Sequence, residues 1–272
     1  MLESVLNFPA AVLSHYLDVV FARSASATLL LAVSYTLLSF SAMYFGFAGP
    51  AYFGLKNTQK INRINPRPIQ THQIRSEIHS SLLTIVMFGF LGGLTFLLLR
   101  SGWLQVSGAV PLSRWGIEVV ALFLWNELHF YFSHRLMHTK KLYKKVHLEH
   151  HRSVVVTPFS VYRFHWFEAL MLGAVMPLAM VFHTFSVWSL LMLPPLSLLW
   201  NLVGHSNYRP QGVGLGWIAR ASERHAAHHA RIHGNYGFSL PYFDQWFATA
   251  LAAEIKTKSV AVKPGNDKIR NA

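Results

Sequence analysis

This chain has no cysteine among its 272 residues. Disulfides, thiolate zinc sites, cysteine-ligated iron–sulfur clusters and c-type haem attachment are therefore excluded. Charge is also scarce: 13% of the residues are Asp, Glu, Lys or Arg, about half the share usual in a soluble domain. The deficit is concentrated, with no charged side chain in residues 24–55, 78–99 or 169–208. A bilayer core takes about 20 mostly apolar residues per helix. The first two runs thus each provide a span, and the third is long enough for the two arms of a hairpin. An integral membrane protein is expected. A nucleotide fingerprint is missing too. The run Gly212-x-Gly214-x-Gly216 follows a membrane hairpin and not a strand, so it reads as a loop. The chain opens with Glu3 and no basic cluster, and no cleaved signal peptide is expected.

What is present is 52% hydrophobic and carries a net charge of +13. Residues 1–23 read as an amphipathic or interfacial segment interrupted by Pro9 and Asp18. Spans are expected near 26–48, 79–99 and 115–133, the first ending at Gly46, Gly49 and Pro50. A hairpin over 169–208 follows, turning at His183-Thr184-Phe185-Ser186. The third span contains Glu118, Glu127 and His129 and should face protein, not lipid. The fold class is all-α: a membrane helical bundle of four to five spans, including the hairpin, with a helical cap formed by 134–168 and 205–250. No repeat or linker divides the chain, so residues 1–272 read as a single membrane domain, with a basic tail over 255–272.

The basic residues set a topology. With alternating crossings, the segments 56–77, 134–168 and 209–272 share one side, and they hold five, seven and nine Lys/Arg, 21 of the 24 in the chain. By the positive-inside rule that side is cytoplasmic. Basic residues flanking spans fit membrane orientation and anionic headgroups, and no nucleic-acid partner is expected.

Histidine supplies the chemistry. His134 and His138 form one box; His147, His150 and His151 a second; His225, His228 and His229 a third. On an α-helix, i+3 and i+4 lie about 60° and 40° to either side of residue i, so each box is expected to present its imidazoles on one face. All three boxes fall on the cytoplasmic side, although histidine played no part in assigning it. His205, at the end of the hairpin, is a ninth candidate. Imidazole suits iron, zinc, copper and nickel, and nine ligands are too many for one tetrahedral ion. Two ions with four or five ligands each account for the set.

Order, spacing and flanking residues also carry a resemblance. Tyr131-x-x-His134-Arg135-x-x-His138, Tyr143-x-x-x-His147-x-x-His150-His151 and Thr157-Pro158-Phe159 resemble the fatty acid hydroxylase superfamily, sterol desaturase branch. So do His225-x-x-His228-His229, Asn235-Tyr236-Gly237 and Phe243-Asp244. The likeness covers roughly residues 75–250. It implies a non-haem diiron site held by the eight box histidines, with His205 matching an additional family histidine. It also implies an O2-dependent membrane oxidoreductase that hydroxylates or desaturates a sterol, fatty acyl chain or related lipid. Electrons come from a separate donor of the cytochrome b5 or ferredoxin type. Glu127 stands where the family more often has aspartate, and Phe247-Ala248-Thr249 replaces Phe-Gly-Thr.

Three further side chains are read as supports for the metal ligands. Asp244 is taken as a carboxylate accepting an imidazole N–H. Glu127, seven residues before His134, lies on nearly the same helix face and is taken to orient a ligand. Tyr131 is placed near the metals. His165 and Glu168 are read as structural. The rival reading is a non-redox metal-binding membrane protein, either a zinc-dependent lipid hydrolase or a metal transporter or store. A hydrolase needs one metal with three protein ligands, and transport needs ionisable residues along a path through the bilayer. The lack of a fused donor domain leans towards a bacterial inner membrane over the endoplasmic reticulum.

Overall fold

The computed structural model describes residues 24–210 and 215–251, with backbone only at 57–62 and 71. The expectations for residues 1–23, the glycines at 212 and 214, and the basic tail lie outside the described residues. Among the described residues there is no strand, only two isolated bridges, Arg63 with Tyr208 and Ser107 with Ser186. The protein is all-α, as expected.

Helix α1 is Ala25–Asn62, opened by the Ser24 hydroxyl accepting the Ala27 N–H. It does not stop at the Gly46–Pro50 patch, as the sequence reading has it, but runs through Pro50. Proline inside a helix removes one backbone hydrogen bond, and neighbouring helices in a membrane compensate for such losses. Helix α2, Thr71–Arg100, starts a full two turns before the expected residue 79. Glu77, within that added stretch, is buried and takes hydrogen bonds from Gln73, Ser153 and Thr157. Helix α3, Leu112–Met137, carries Glu118 and Glu127 buried against protein, as their charge requires.

The first arm of the hairpin is interrupted. It consists of α6, Trp166–Gly173, and α7, Val175–Phe182. The break falls at Ala174, where the Pro177 ring meets the carbonyl of Gly173, four residues earlier. The turn at 183–186 is as expected, and helix α8, Val187–His205, returns. Three helical stretches, Ala25–Lys56, His72–Arg100 and Val187–His205, are long and apolar enough to cross a membrane. Their outer faces expose Leu30, Leu38, Phe53, Leu83 and Phe90. The protein is an integral membrane protein.

Helix ends sort into two groups. Ser107 exchanges backbone hydrogen bonds with Phe185 and Val187, which joins the α2–α3 connection to the hairpin turn at one end. At the other end, the Ile64 N–H donates to the Asn207 carbonyl, and the Asn207 side chain accepts the Asn65 N–H and donates to the Asn65 carbonyl. The ends of α1 and α8 thus meet there, and the cap is built on that side. It comprises α4 (Lys140–Leu142), a π-helical turn (Tyr143–His147), α5 (Leu148–His151), a 3-10 turn (Pro158–Tyr162), α9 (Gly216–Arg231) and α10 (Tyr242–Trp246). The core below the cap centres on Tyr44, Phe88, Phe159, Tyr162, Phe164 and Leu198. A second core, around Leu122, Met180, Phe185 and Leu193, lies towards the hairpin turn.

Candidate metal centre

All nine candidate histidines meet in the cap. They form two clusters, His134, His138, His147, His151 and His228 in one, and His150, His205, His225 and His229 in the other. The boxes do not map one to each ion. Pairs four residues apart stay together: His134 with His138, His147 with His151, and His225 with His229. The remaining box members, His150 and His228, cross to the opposite cluster. One residue of helix turns a side chain by about 100°, so adjacent histidines such as His150 and His151 diverge. The one-face reading therefore holds for the i,i+4 pairs and fails for the whole box. A π-helical turn ending at His147 supplies the local rewinding, as such turns commonly do at functional sites.

The inward atoms are the Nε2 nitrogens. In the first cluster His134 to His147, His138 to His151 and His151 to His228 are 3.1, 3.3 and 3.1 Å apart. In the second, His205 to His225, His150 to His229 and His225 to His229 are 2.8, 3.2 and 3.1 Å apart. Metal–nitrogen bonds of about 2.0–2.1 Å place neighbouring ligands about 2.9 Å apart in an octahedron and about 3.4 Å apart in a tetrahedron. The observed separations match the edges of such polyhedra.

The outward nitrogens explain why these edges are not hydrogen bonds. Nδ1 of His134 donates to the Tyr236 carbonyl at 2.9 Å, of His150 to Arg163 at 3.2 Å, and of His228 to Gly234 at 2.7 Å. Carbonyls only accept, so these Nδ1 atoms carry the proton, and a neutral imidazole then has a bare Nε2. Ser160 uses its own proton on the Thr157 carbonyl and accepts from His205 Nδ1 at 2.6 Å. Bare lone pairs facing one another at 3 Å repel, and a cation between them removes the repulsion. Burial holds His138, His150 and His225 down to about 2, 3 and 4, the neighbouring imidazoles adding to the effect at His138 and His150. All three are therefore neutral and ready to ligate. This donor set fits a pair of transition-metal ions.

Glu168 is the residue that sequence reasoning missed. Its Oε1 takes the Nδ1 proton of His147 at 2.8 Å, with both side chains buried. The signal was available: Glu168 is the last charge before a 40-residue uncharged run, and an acid at that position needs a partner. Its Oε2, with His151 Nδ1 and His229 Nδ1, is buried without a hydrogen-bond partner among the described residues. A carboxylate on a ligand imidazole fixes its ring and raises its basicity. Glu168→Gln is expected to weaken metal binding at the first cluster 10–100-fold. Chelator competition on the purified protein measures it, and unchanged affinity would return Glu168 to a structural role.

The three expected supports lie further out. Glu127 accepts the backbone N–H groups of Ser239 and Leu240 and the Ser239 hydroxyl, so it anchors a loop and orients no histidine. Asp244 accepts from the Tyr236 and Gly237 N–H groups and the Thr249 hydroxyl, not from an imidazole. It acts one peptide away, because the Tyr236 carbonyl holds His134. Tyr131 donates to Thr249, accepts from Arg135 and stacks on Phe243 and Phe247, away from the clusters. Backbone geometry also shapes the site. Ile232 adopts φ 70°, costly for a β-branched residue, and its backbone bonds His138. Gly204 lets α9 approach α8: a Cβ there would stand 3.1 Å from the His225 ring.

The fatty acid hydroxylase family model matches residues 119–249, which include all nine histidines, Glu127, Glu168 and Asp244. Residues 119–249, just under half of the chain, are a fatty acid hydroxylase domain. Its similarity to a rice very-long-chain aldehyde decarbonylase, GL1-11 of Oryza sativa subsp. indica, is 31% identity over 161 residues. That alignment covers 54% of this chain and 58% of the rice protein. Methylsterol monooxygenase 2-1 of Arabidopsis thaliana is 31% identical over 170 residues, covering 54% and 61%. The Delta(7)-sterol 5(6)-desaturase erg3C of Aspergillus fumigatus is 25% identical over 246 residues, covering 80% and 75%. The alignments to the two plant proteins thus span about three fifths of their lengths. No solved structure matches. Helices α1 and α2 lie wholly outside the family match, so the part recognised is the cap with α3 and the hairpin.

Proposed function

We propose that this protein is an O2-dependent diiron lipid hydroxylase or desaturase, acting on an unactivated C–H bond of a sterol, fatty acyl chain or related membrane lipid. One observation carries the reading: two adjoining clusters of bare Nε2 atoms stand at the end of an apolar cavity of ≈ 400 Å³ that lies among the membrane helices. Phe164 packs 5.1 Å from the His150 ring and Phe130 4.9 Å from the His134 ring, centroid to centroid, and both line the cavity. The cavity therefore abuts both clusters.

His134, His138, His147, His151 and His228 would hold one iron; His150, His205, His225 and His229 the other. The chemistry that such a pair supplies is reduction of O2 coupled to removal of hydrogen from an alkyl C–H bond. The protein's share is positional. Outward hydrogen bonds fix the imidazole tautomers, Glu168 holds His147, and the phenylalanines keep water from the lipid end. Two of the relatives, a methylsterol monooxygenase and a sterol desaturase, support lipid oxidation. A separate electron donor of the cytochrome b5 or ferredoxin type is part of the proposal, with exposed Lys140, Lys141, Lys144 and Lys145 beside the clusters as a surface for an acidic partner. So is a cytoplasmic orientation of the cap, from the basic residues gathered at that end.

Metal analysis and Mössbauer spectra of detergent-purified protein, from cells supplied with iron, test the reading. Two coupled irons per chain are expected. One tightly held zinc and no iron would instead favour the zinc-hydrolase alternative.

A further inference from the structure

Among the described residues, the cavity wall contains no Asp, Glu, Lys or Arg. A carboxylate or phosphate drawn into it would meet no counter-charge, a costly burial. Its polar groups are few, and several are already engaged. Thr36 and Thr95 donate to backbone carbonyls one turn back in their own helices, and the Asn201 amide donates to the Val161 carbonyl at 2.7 Å. Ser39, Ser197 and Tyr162 add scattered hydroxyls.

Asn126 and His129 are different. They lie three residues apart on α3, on neighbouring parts of one face, and both line the cavity. Asn126 is 7% exposed, and neither side chain makes a hydrogen bond to any described residue. An amide buried without a partner is unfavourable, so its place on a cavity wall points to a ligand that completes it. The His129 ring rests on Trp125, whose indole N–H is pinned to the Val175 carbonyl at 2.8 Å. The imidazole is thus held in place with its nitrogens unspent. Together the two side chains offer donors and an acceptor at one spot in an otherwise apolar chamber.

We infer that Asn126 and His129 are the recognition point for a single neutral oxygen, a hydroxyl or carbonyl, on an otherwise apolar lipid. This inference rests on the reading of the cavity as the substrate site. His129 and Asn126 precede the ligand His134 by five and eight residues, about 8 and 12 Å along the helix. Anchoring the oxygen there sets which carbon reaches the clusters, roughly 10 Å from the anchor on the same helix rise. The substrate class is a neutral oxygenated lipid, and a free fatty acid or a phospholipid headgroup is excluded from the chamber.

Native mass spectrometry of the full-length, metal-loaded protein tests this. The probes are 1-octadecanol, octadecane and octadecanoate in one mixture, and cholesterol with cholestane in another. At least one alcohol is expected to outcompete its hydrocarbon by roughly 30-fold, the worth of two ordinary hydrogen bonds, and octadecanoate should bind no better than octadecane. The double variant Asn126→Leu, His129→Phe should lose that preference, still bind hydrocarbon and keep its metal. The single variants Asn126→Leu and His129→Gln should each lose part of it, which keeps the test standing if the double variant does not fold. An alcohol preference that survives in all variants, a preference for octadecanoate, or no preference in the wild type would overturn the inference. Metal content of the same wild-type samples separates the outcomes: missing iron counts against the proposed function, whereas intact iron with unchanged lipid selection counts against the anchor alone.

Discussion

Alanine at both His150 and His228 is expected to strip metal from both clusters, with each single variant emptying a different one. His228 belongs with His134, His138, His147 and His151, while His150 belongs with His205, His225 and His229. Loss of His228 leaves four imidazoles in its cluster, and loss of His150 leaves three. The His150→Ala cluster should therefore be the weaker binder. Each loss should exceed the 10–100-fold that removal of an outer hydrogen-bond partner costs, because a direct ligand is gone. The sharpest comparison uses neighbours. His150→Ala and His151→Ala differ by one position, yet they should deplete opposite sites. The two sites have different ligand counts and should give separable Mössbauer signals. Identical losses from these adjacent variants would refute the crossed assignment, and circular dichroism on the same samples shows whether each variant folds.

The metal-free protein should lose stability steeply as pH falls below about 6.5. His138, His150 and His225 are held neutral by burial, down to about 2, 3 and 4, whereas in the unfolded chain each titrates near 6.5. Between those values the unfolded state binds protons that the folded state does not. Folding stability is then full above about pH 6.5 and declines as the pH drops towards the folded values. Each histidine contributes up to ~1.4 kcal/mol per pH unit in that window. Bound metal competes with the same protons, so metal release should follow the same direction. Thermal unfolding of chelator-treated protein at pH 7.5, 6 and 5 measures the slope. A melting temperature unchanged across that range would mean that the imidazoles are not buried as described.

Much of this protein was legible before any coordinates. Uncharged runs mark membrane helices because an unpaired charge in hydrocarbon is too costly to leave there. Two such runs are present as the long helices α1 and α2, and the third is divided into α6–α7 and α8. The i,i+4 spacing of His134/His138 and His225/His229 determined that these pairs share a cluster, since that relation is built into the helix. His205 could be nominated from its place at the end of an apolar run. The element ends were less legible. Pro50 and its neighbouring glycines look like a helix stop, but packing within the bundle carries α1 onward to Asn62.

The partition of ligands was a different kind of question. Whether His150 turns towards His147 or towards His229 depends on where α9 sits, and α9 is 65 or more residues away along the chain. The supports followed the same rule. Asp244, Glu127 and Tyr131 had the right chemistry to hold an imidazole, and the tertiary structure gave that role to Glu168 and to the carbonyls of Tyr236, Arg163 and Gly234. Carbonyls are identical at every residue, so no sequence pattern distinguishes those that face a ligand. The sequence by itself determined which atoms are available and which helix face they share, because those follow from local geometry. Only the tertiary structure decided which nitrogens converge and which side chains are left unpaired beside the cavity, because both depend on how distant helices pack.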